Sequence, residues 1–379
     1  MRNVFYFVLL ILFANTVKAQ ESSRLQVSLI TVSPGEELYS TFGHSALRIV
    51  DSNAVTDLIY NYGTFDFSDK NFYTKFIRGK LLYFLGVEDT REFLYNVAIE
   101  KRSATEQILD LSDQKKMLIR NAIIQNLQDS TRFYKYDFVG DNCTTRLRDQ
   151  IEKVTDSAAD KVMVMPPKTT FRNALHTYLD RGGQQWSKFG IDLLLGAKTD
   201  AVMTTRQQQF LPDNLMKALD ASSDKIPITK RRLIPEANDI KASGGFTPLL
   251  IFGSLAVFII LLSFLPNKNT FYIIARTYLF VLGALGILLL FMWFGTDHSL
   301  TVNNYNLLWC IPLHVFMAFS KNKTSFSKYY WLITIVLNVI LLAGMRTFLP
   351  QLINTAVIPL VIAEAYIAFR FYKNFYQTP

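Results

Sequence analysis

Hydrophobic positions follow two regimes along the chain, and the regimes meet near residue 247. Before that point apolar residues alternate with polar ones or recur at helical spacing. Leu25 to Val32 reads as a strand. Ser45 to Val50 and Leu58 to Tyr62 read as a strand pair, with the turn chemistry of Asp51-Ser52-Asn53 between them. Phe72, Phe76, Leu81, Tyr83 and Leu85 predict a short helix and then a strand around Gly79. Ser112 is an N-cap for a helix to about Gln128, with Ile119, Ile123 and Leu127 on one face. Tyr134, Tyr136 and Phe138 alternate as in a strand. Asp141 then caps a helix in which Leu147, Ile151 and Val154 line one side, and residues 170–180 predict another helix. Strands with separate helices indicate an α+β domain. Residues 20–246 are enough to bury a core of their own.

From Thr247 the polar positions thin out, after a flexible joint at Ser243-Gly244-Gly245. Apolar segments follow at about 247–265, 271–294, 305–320, 329–349 and 351–372. Most approach the roughly 20 residues needed to cross a bilayer. The third is short and holds Pro312, which fits a re-entrant segment as well as a span. Basic residues test the count. With 20–246 outside, five spans put Lys268, Lys321, Lys323, Lys328 and Lys373 inside, with Arg370 at the last boundary. The outside loops 295–304 and 347–352 hold no Lys or Arg. The expected arrangement is therefore an exported domain and an all-α bundle of about five transmembrane helices, with the C-terminus in the cytoplasm.

The N-terminus supports export. A basic Met1-Arg2-Asn3 start, an apolar run from Val4 to Ala14, and Thr16-Val17-Lys18-Ala19 describe a signal peptide over 1–19. An uncleaved anchor is the alternative, and it too leaves residue 20 onward outside. The domains expected are thus 1–19, an exported 20–246 and a transmembrane 247–379, in a multi-pass membrane protein. Composition agrees: the 379 residues are 50% hydrophobic, too apolar for one soluble globule. The net charge of +9 divides into +6 over 247–379, +2 over 1–19 and only +1 between them. A broad nucleic-acid surface needs concentrated basic charge, so no nucleic-acid partner is expected.

Candidate chemistry centres on cysteine. Cys310 falls in an apolar segment, so Cys143 is the only cysteine of the exported domain. A structural cysteine in an oxidising compartment is normally paired. A lone one is either buried and inert or kept for reactivity. Asp141-Asn142-Cys143-Thr144-Thr145-Arg146 places the thiol in the first turn of a helix. There the helix dipole and free N–H groups stabilise a thiolate and offer a site for an oxyanion. A base is available from His44, between Gly43 and the start of a strand; His176 reads as an ordinary helix residue. Symmetric pairing about the turn sets His44 opposite Gly63, with Asn61 on the same face two residues away. An amide can orient an imidazole, as in Cys-His-Asn sites. A slip of one residue would present Tyr60 or Tyr62 instead. One cysteine and one well-placed histidine fall short of a zinc site. No serine elbow, P-loop or dinucleotide motif is present, so no cofactor is expected.

His44 before Cys143, with the cysteine opening a helix, resembles the circularly permuted papain-like fold of the NlpC clan, a group that includes lecithin:retinol acyltransferase. The segments Gly43-His44-Ser45-Ala46-Leu47-Arg48, Tyr60-Asn61-Tyr62-Gly63-Thr64-Phe65, Tyr136-Asp137-Phe138 and Asp141 to Arg146 resemble the periplasmic domain of the Lnb-type lipoprotein N-acyltransferases of Bacteroidota. Gly190 to Gly196, Phe210 to Asp213 and His298 to Leu313 look like features of that family too. The resemblance implies an acyl chain moved from a phospholipid, through a thioester at Cys143, to the N-terminal amine of a diacylglyceryl-modified lipoprotein. His44 would be the base and Asn61 its orienter. Arg48, Tyr62, Asn142 and Arg146, with His298 and Asn303 from the outside loop, become candidate substrate contacts. The 297–306 polar residues could equally cap helices. Lys225, Lys230, Arg231 and Arg232 precede the first span, where phosphate headgroups would lie, or else form a solvated linker.

Two other classes fit the residues alone. A membrane-tethered cysteine peptidase or amidase acting on wall peptides would use the same pair, in a water-exposed cleft. An acyltransferase needs an apolar mouth facing the bilayer. A lipid-binding module would leave Cys143 inert.

Overall fold

The computed structural model describes residues 25–156, 158–235, 245–320 and 324–375; the segment read as a signal peptide lies outside them. The exported region is built on a seven-stranded antiparallel sheet of order β6-β4-β3-β2-β1-β5-β7. Its strands are β1 Leu25–Val32, β2 His44–Asp51, β3 Thr56–Thr64, β4 Leu82–Asp89, β5 Ala104–Leu109, β6 Phe133–Lys135 and β7 Ile228–Ile234. The β2–β3 register pairs Leu47 with Tyr60 and Asp51 with Thr56, the symmetric pairing read from the sequence. Asp51 closes the turn by accepting from the N–H groups of Asn53 and Ala54.

Alternation along these strands sends side chains to opposite faces. Leu29, Leu47, Ile49, Tyr60 and Leu85 bury one face under three helices: α3 (Asp113–Asn126), α4 (Cys143–Thr155) and α7 (Pro212–Asp220). Ile30, Ala46 and Ile59 bury the other under Phe93 and Val97 of α2 (Thr90–Ile99). The short helix α1 (Phe72–Ile77) precedes β4, and α5 (Phe171–Arg181) and α6 (Gln185–Leu194) lead toward the apolar region. Ser112 caps α3 as expected.

Three details differ from the sequence reading. The cap of α4 is Asn142, not Asp141. Regular strand pairing ends at Lys135 rather than reaching Phe138. The basic stretch before the apolar region is no linker: 228–234 is the edge strand β7, paired with β5. Its Lys230 pairs with Asp220 at 2.6 Å, and Arg231 with the buried Glu106.

The C-terminal region is helical. Helices α9 (Lys268–Phe294) and α10 (Ser325–Gly344) are long and apolar enough to cross a membrane, and α8 (Pro248–Leu262) is a shorter apolar helix. The last is α11 (Val357–Lys373). The third apolar segment is broken, with a 3-10 turn at Tyr305–Leu308 and one helical turn at His314–Met317 on either side of Pro312. It presses on α9, where a Cβ at Gly286 would stand 2.1 Å from the Cys310 carbonyl oxygen.

Exported and apolar regions join along a polar seam. Gly196 N donates to Leu300 O at 2.8 Å and Ala197 N to Asn303 O at 3.0 Å. Asn304 donates to Leu193 O at 2.7 Å, and Asn354 to the Asp192 carboxylate at 2.8 Å. Behind the seam the fully buried Arg172 binds Asp192 at 2.8 Å and Asp200 at 3.0 Å, and His176 also reaches Asp192 at 2.8 Å. A Cβ at Gly196 would lie 1.9 Å from the Val302 carbonyl oxygen, between two backbones that cannot both give way. Gly196→Ala is therefore expected to destabilise the protein by about 1–3 kcal/mol or more through overpacking. Gly190→Ala, whose Cβ meets none of the described residues within 4 Å inside a helix, is the control and should be neutral or slightly stabilising. Thermal unfolding midpoints of the two variants check this.

Candidate active site

Three elements meet at the site. β2 starts at His44, held by Gly43, whose φ of +78° and 2.8 Å approach of a Cβ to Val32 O exclude a side chain there. β3 supplies Asn61. The helix α4 starts at Cys143, fixed by a capping box in which Asn142 Oδ1 accepts from Thr144 N at 2.9 Å and Thr145 N at 2.8 Å. The Asn142 amide donates in turn to Phe138 O at 2.7 Å and Phe210 O at 3.0 Å, so this one side chain locks the helix start from both sides. Thr144 Oγ1 donates to Ser45 Oγ at 3.1 Å and ties that start to β2 beside His44.

His44 Nε2 lies 2.5 Å from Asn61 Oδ1. The Asn61 amide nitrogen donates to Glu88 Oε1 at 3.3 Å, which orients the amide with its oxygen toward the imidazole. An amide oxygen only accepts, so Nε2 carries the proton and Nδ1 is left as the base. The imidazole and the Cys143 thiol are coupled electrostatically, each shifting the other's titration. The hydrogen bonds run from Glu88 through Asn61 to His44, and His44 acts on Cys143 electrostatically. Glu88 was not visible in the sequence reading; it lies on β4, opposite Ile59, and only the β3–β4 register brings it to Asn61.

The titration of both groups follows from this coupling. Burial alone would raise the Cys143 thiol. The coupling to His44, the Ser45 backbone N–H and the Thr144 hydroxyl outweigh it and bring the thiol down to about 7. Burial would likewise lower His44, but the coupling to Cys143 and the Asn61 bond leave it above its ordinary value. Both shifts favour a thiolate–imidazolium pair. The surroundings are apolar and aromatic. A Cβ on Gly63 would sit 3.7 Å from both Cys143 Cβ and Tyr136 Cε2, and Tyr136 packs against the core cluster that holds Cys143. Tyr83 packs tilted against Tyr136 with centroids 4.6 Å apart. Burial drives Tyr62 up to about 12 and raises Tyr134 and Tyr136, so all three phenols stay neutral.

The remaining sequence candidates sit as follows. Arg48 lies four residues along β2 from His44 and is engaged by Asp57 at 2.5 Å and Glu106 at 3.1 Å. Arg146 pairs with Asp141 at 2.6 Å and lies 3.5 Å above the Tyr134 ring. Tyr62 is buried, and its hydroxyl has no hydrogen-bond partner among the described residues. His298 Nε2 is 3.0 Å from Ile77 O, and Asn303 has a left-handed φ of +56° at the seam. The oxyanion role expected of the first-turn N–H groups is closed at Thr144 and Thr145, whose N–H groups serve the cap. A cavity of about 600 Å³ beside Thr155 and Asp156 opens at the other end of α4, away from the thiol.

The loop leading into Cys143 is fastened to the apolar region. Ser299 Oγ donates to Asp137, and Lys135 pairs with Asp297 at 2.8 Å. A family model described as the Lnb N-terminal periplasmic domain matches residues 13–177, and one described as the Lnb transmembrane domain matches 240–377. The chain belongs to the Lnb family. It is a membrane protein with a periplasmic N-terminal domain, of a family of lipoprotein-modifying enzymes. No curated protein and no solved structure matches it. Residues 178–239 fall between the two Lnb matches and hold Asp192 and Gly196 of the seam.

The charged pair sets a pH dependence for any reaction that uses the thiolate. Its rate should fall as pH drops through about 7, where the thiol regains its proton. It should fall again at higher pH, where the raised imidazolium loses the proton a leaving group needs. His44→Ala should move the acid limb upward toward the ordinary thiol value of about 8.5. A single-turnover pH profile of both proteins checks the direction.

Proposed function

We propose that the protein is a phospholipid-dependent lipoprotein N-acyltransferase, with Cys143 as nucleophile, His44 as base and Asn61 as orienter. The observation that carries this reading is where the thiol sits. Cys143 is 8% exposed, walled by neutral phenols, and preceded by a loop pinned to the outer end of the apolar region through Asp137–Ser299 and Lys135–Asp297. That setting suits an acyl ester arriving from a bilayer better than a wall peptide arriving from water.

The thiolate attacks the ester carbonyl of a phospholipid, and the carbon–oxygen bond to glycerol breaks. His44 gives its proton to the leaving alkoxide, so a lysophospholipid departs and an acyl thioester remains. The neutral N-terminal amine of a diacylated lipoprotein then attacks the thioester. The carbon–sulfur bond breaks, His44 takes a proton from the amine nitrogen, and the thiolate returns. We place residues 20–246 in the periplasm and 247–379 in the bacterial inner membrane. Arg48 and Asn142 are proposed as structural, because their polar atoms are committed to Asp57 and Glu106 and to the helix cap. Arg146, Tyr62, His298 and Asn303 stay as candidate substrate contacts.

The test is a reconstitution of purified protein with phospholipid and a diacylglyceryl lipopeptide. The reading expects triacylated lipopeptide and one lysophospholipid per transfer. Cleavage of wall peptides with phospholipid left untouched would replace it with the peptidase reading.

A further inference from the structure

The segment 65–80 is unusually apolar for the surface of an exported domain. Phe67 is 73% exposed, Tyr73 77%, and Phe76 and Ile77 50% each. Tyr73, Phe76 and Ile77 are spaced i, i+3, i+4 on α1, so they share one outward face. Phe65, Phe67 and Phe72 pack edge-to-face or tilted beside them, with centroids 4.7–5.6 Å apart. An aromatic patch of this kind on a soluble face would be a liability.

Its position supplies what covers it. The far end of α1 is bonded to the loop that follows α9: Asp297 N donates to Arg78 O at 2.9 Å, and His298 Nε2 lies 3.0 Å from Ile77 O. Gly79, with φ +66°, lets this contact close, since a Cβ there would be 3.1 Å from His298 N. Asp297 is three residues beyond Phe294, the last residue of a 27-residue apolar helix. Phe294 is itself 74% exposed and stacks on Trp293 at 4.9 Å. The patch is therefore continuous with the outer end of a membrane-crossing helix, at the depth where aromatic residues gather. Lys70, Arg78 and Lys80 are exposed around it, as headgroup phosphates would require. Inward, Phe65 contacts Tyr83 at 5.3 Å, Tyr83 contacts Tyr136 at 4.6 Å, and Tyr136 packs against the core cluster that holds Cys143.

We propose that Phe67, Tyr73, Phe76 and Ile77 lie in the outer leaflet of the bilayer and form the portal through which a phospholipid reaches the thiol. The portal rests on the acyltransferase reading for its purpose, but not for its lipid contact.

Photocrosslinking separates the two. The full-length protein in bacterial phospholipid nanodiscs carries p-benzoylphenylalanine in place of Phe67, Tyr73 or Val55. Val55 is 89% exposed in the β2–β3 turn, at the opposite end of that hairpin from Phe65, and the strand between them, Thr56–Thr64, spans roughly 26 Å at about 3.3 Å per residue. Phospholipid adducts are expected at 67 and 73, at least about tenfold above those at 55. Adducts at 67 and 73 no higher than at 55 overturn the portal, even if the protein forms a thioester. Adducts at 67 and 73 without any thioester leave the membrane contact standing and remove the acyltransferase reading. A Tyr73→Asp/Phe76→Asp protein adds a kinetic arm. The phospholipid concentration giving half-maximal thioester should rise about fivefold or more with the maximal rate kept; an unchanged concentration counts against the portal.

Discussion

Cys143→Ala is expected to abolish conversion of diacylated to triacylated lipoprotein, with no residual transfer above the uncatalysed rate. The expectation is stronger than for most nucleophile replacements. A tethered lipid and a nearby amine still leave an ester carbonyl that an amine attacks slowly, so the proposed path depends on the thioester. The substitution is also mild for the fold. The thiol sits at the first position of α4, but the cap that holds that end is Asn142, which the variant keeps. Loss of activity with an unchanged unfolding midpoint is the expected result. A Cys143→Ala protein that still makes triacylated product would remove the thiol from the mechanism.

His44→Ala is expected to cost about 10²–10⁴ in thioester formation, the usual contribution of a positioned acid–base group. Two losses combine in it. The imidazolium that stabilises the thiolate disappears, and so does the proton for the departing glycerol oxygen. Asn61→Ala should cost less, because it removes only the 2.5 Å contact that selects the Nε2 tautomer. Its effect should be largely lost when His44 is already absent, since the amide acts through the ring. Single-turnover rates of the two single variants and the double variant measure this. Equal and additive losses would give Asn61 a separate role, such as contacting substrate.

Much of this geometry was legible in the chain. The β2–β3 pairing could be read because a short Asp51-Ser52-Asn53 turn leaves few registers, and side-chain alternation then fixes who shares a face with His44. The α4 cap was harder, since Asp141 and Asn142 are both capping residue types. The structure chooses Asn142 because that position needs an acceptor for two N–H groups and a donor to Phe138 O and Phe210 O. A carboxylate can do only the first. Glu88 and β7 were out of reach for another reason: both depend on pairing between strands distant in sequence. The Lys230 and Arg231 that read as a membrane-side linker are the charged residues of an edge strand, where they discourage pairing with other chains. Hydropathy left 305–320 open as a span or a re-entrant segment, because it records composition only. Pro312 and the close approach to Gly286 make it a broken segment wedged on α9.

The central claim is a covalent acyl intermediate on one sulfur, and intact mass spectrometry tests it most directly. The purified protein is incubated with a phospholipid of defined acyl chains and no acceptor. The mass is expected to rise by one acyl group, on the peptide containing Cys143. Hydroxylamine should remove it, with lysophospholipid present in equal amount. An unchanged mass in the presence of phospholipid that the protein demonstrably binds, or an acyl group on any residue other than Cys143, would contradict the account.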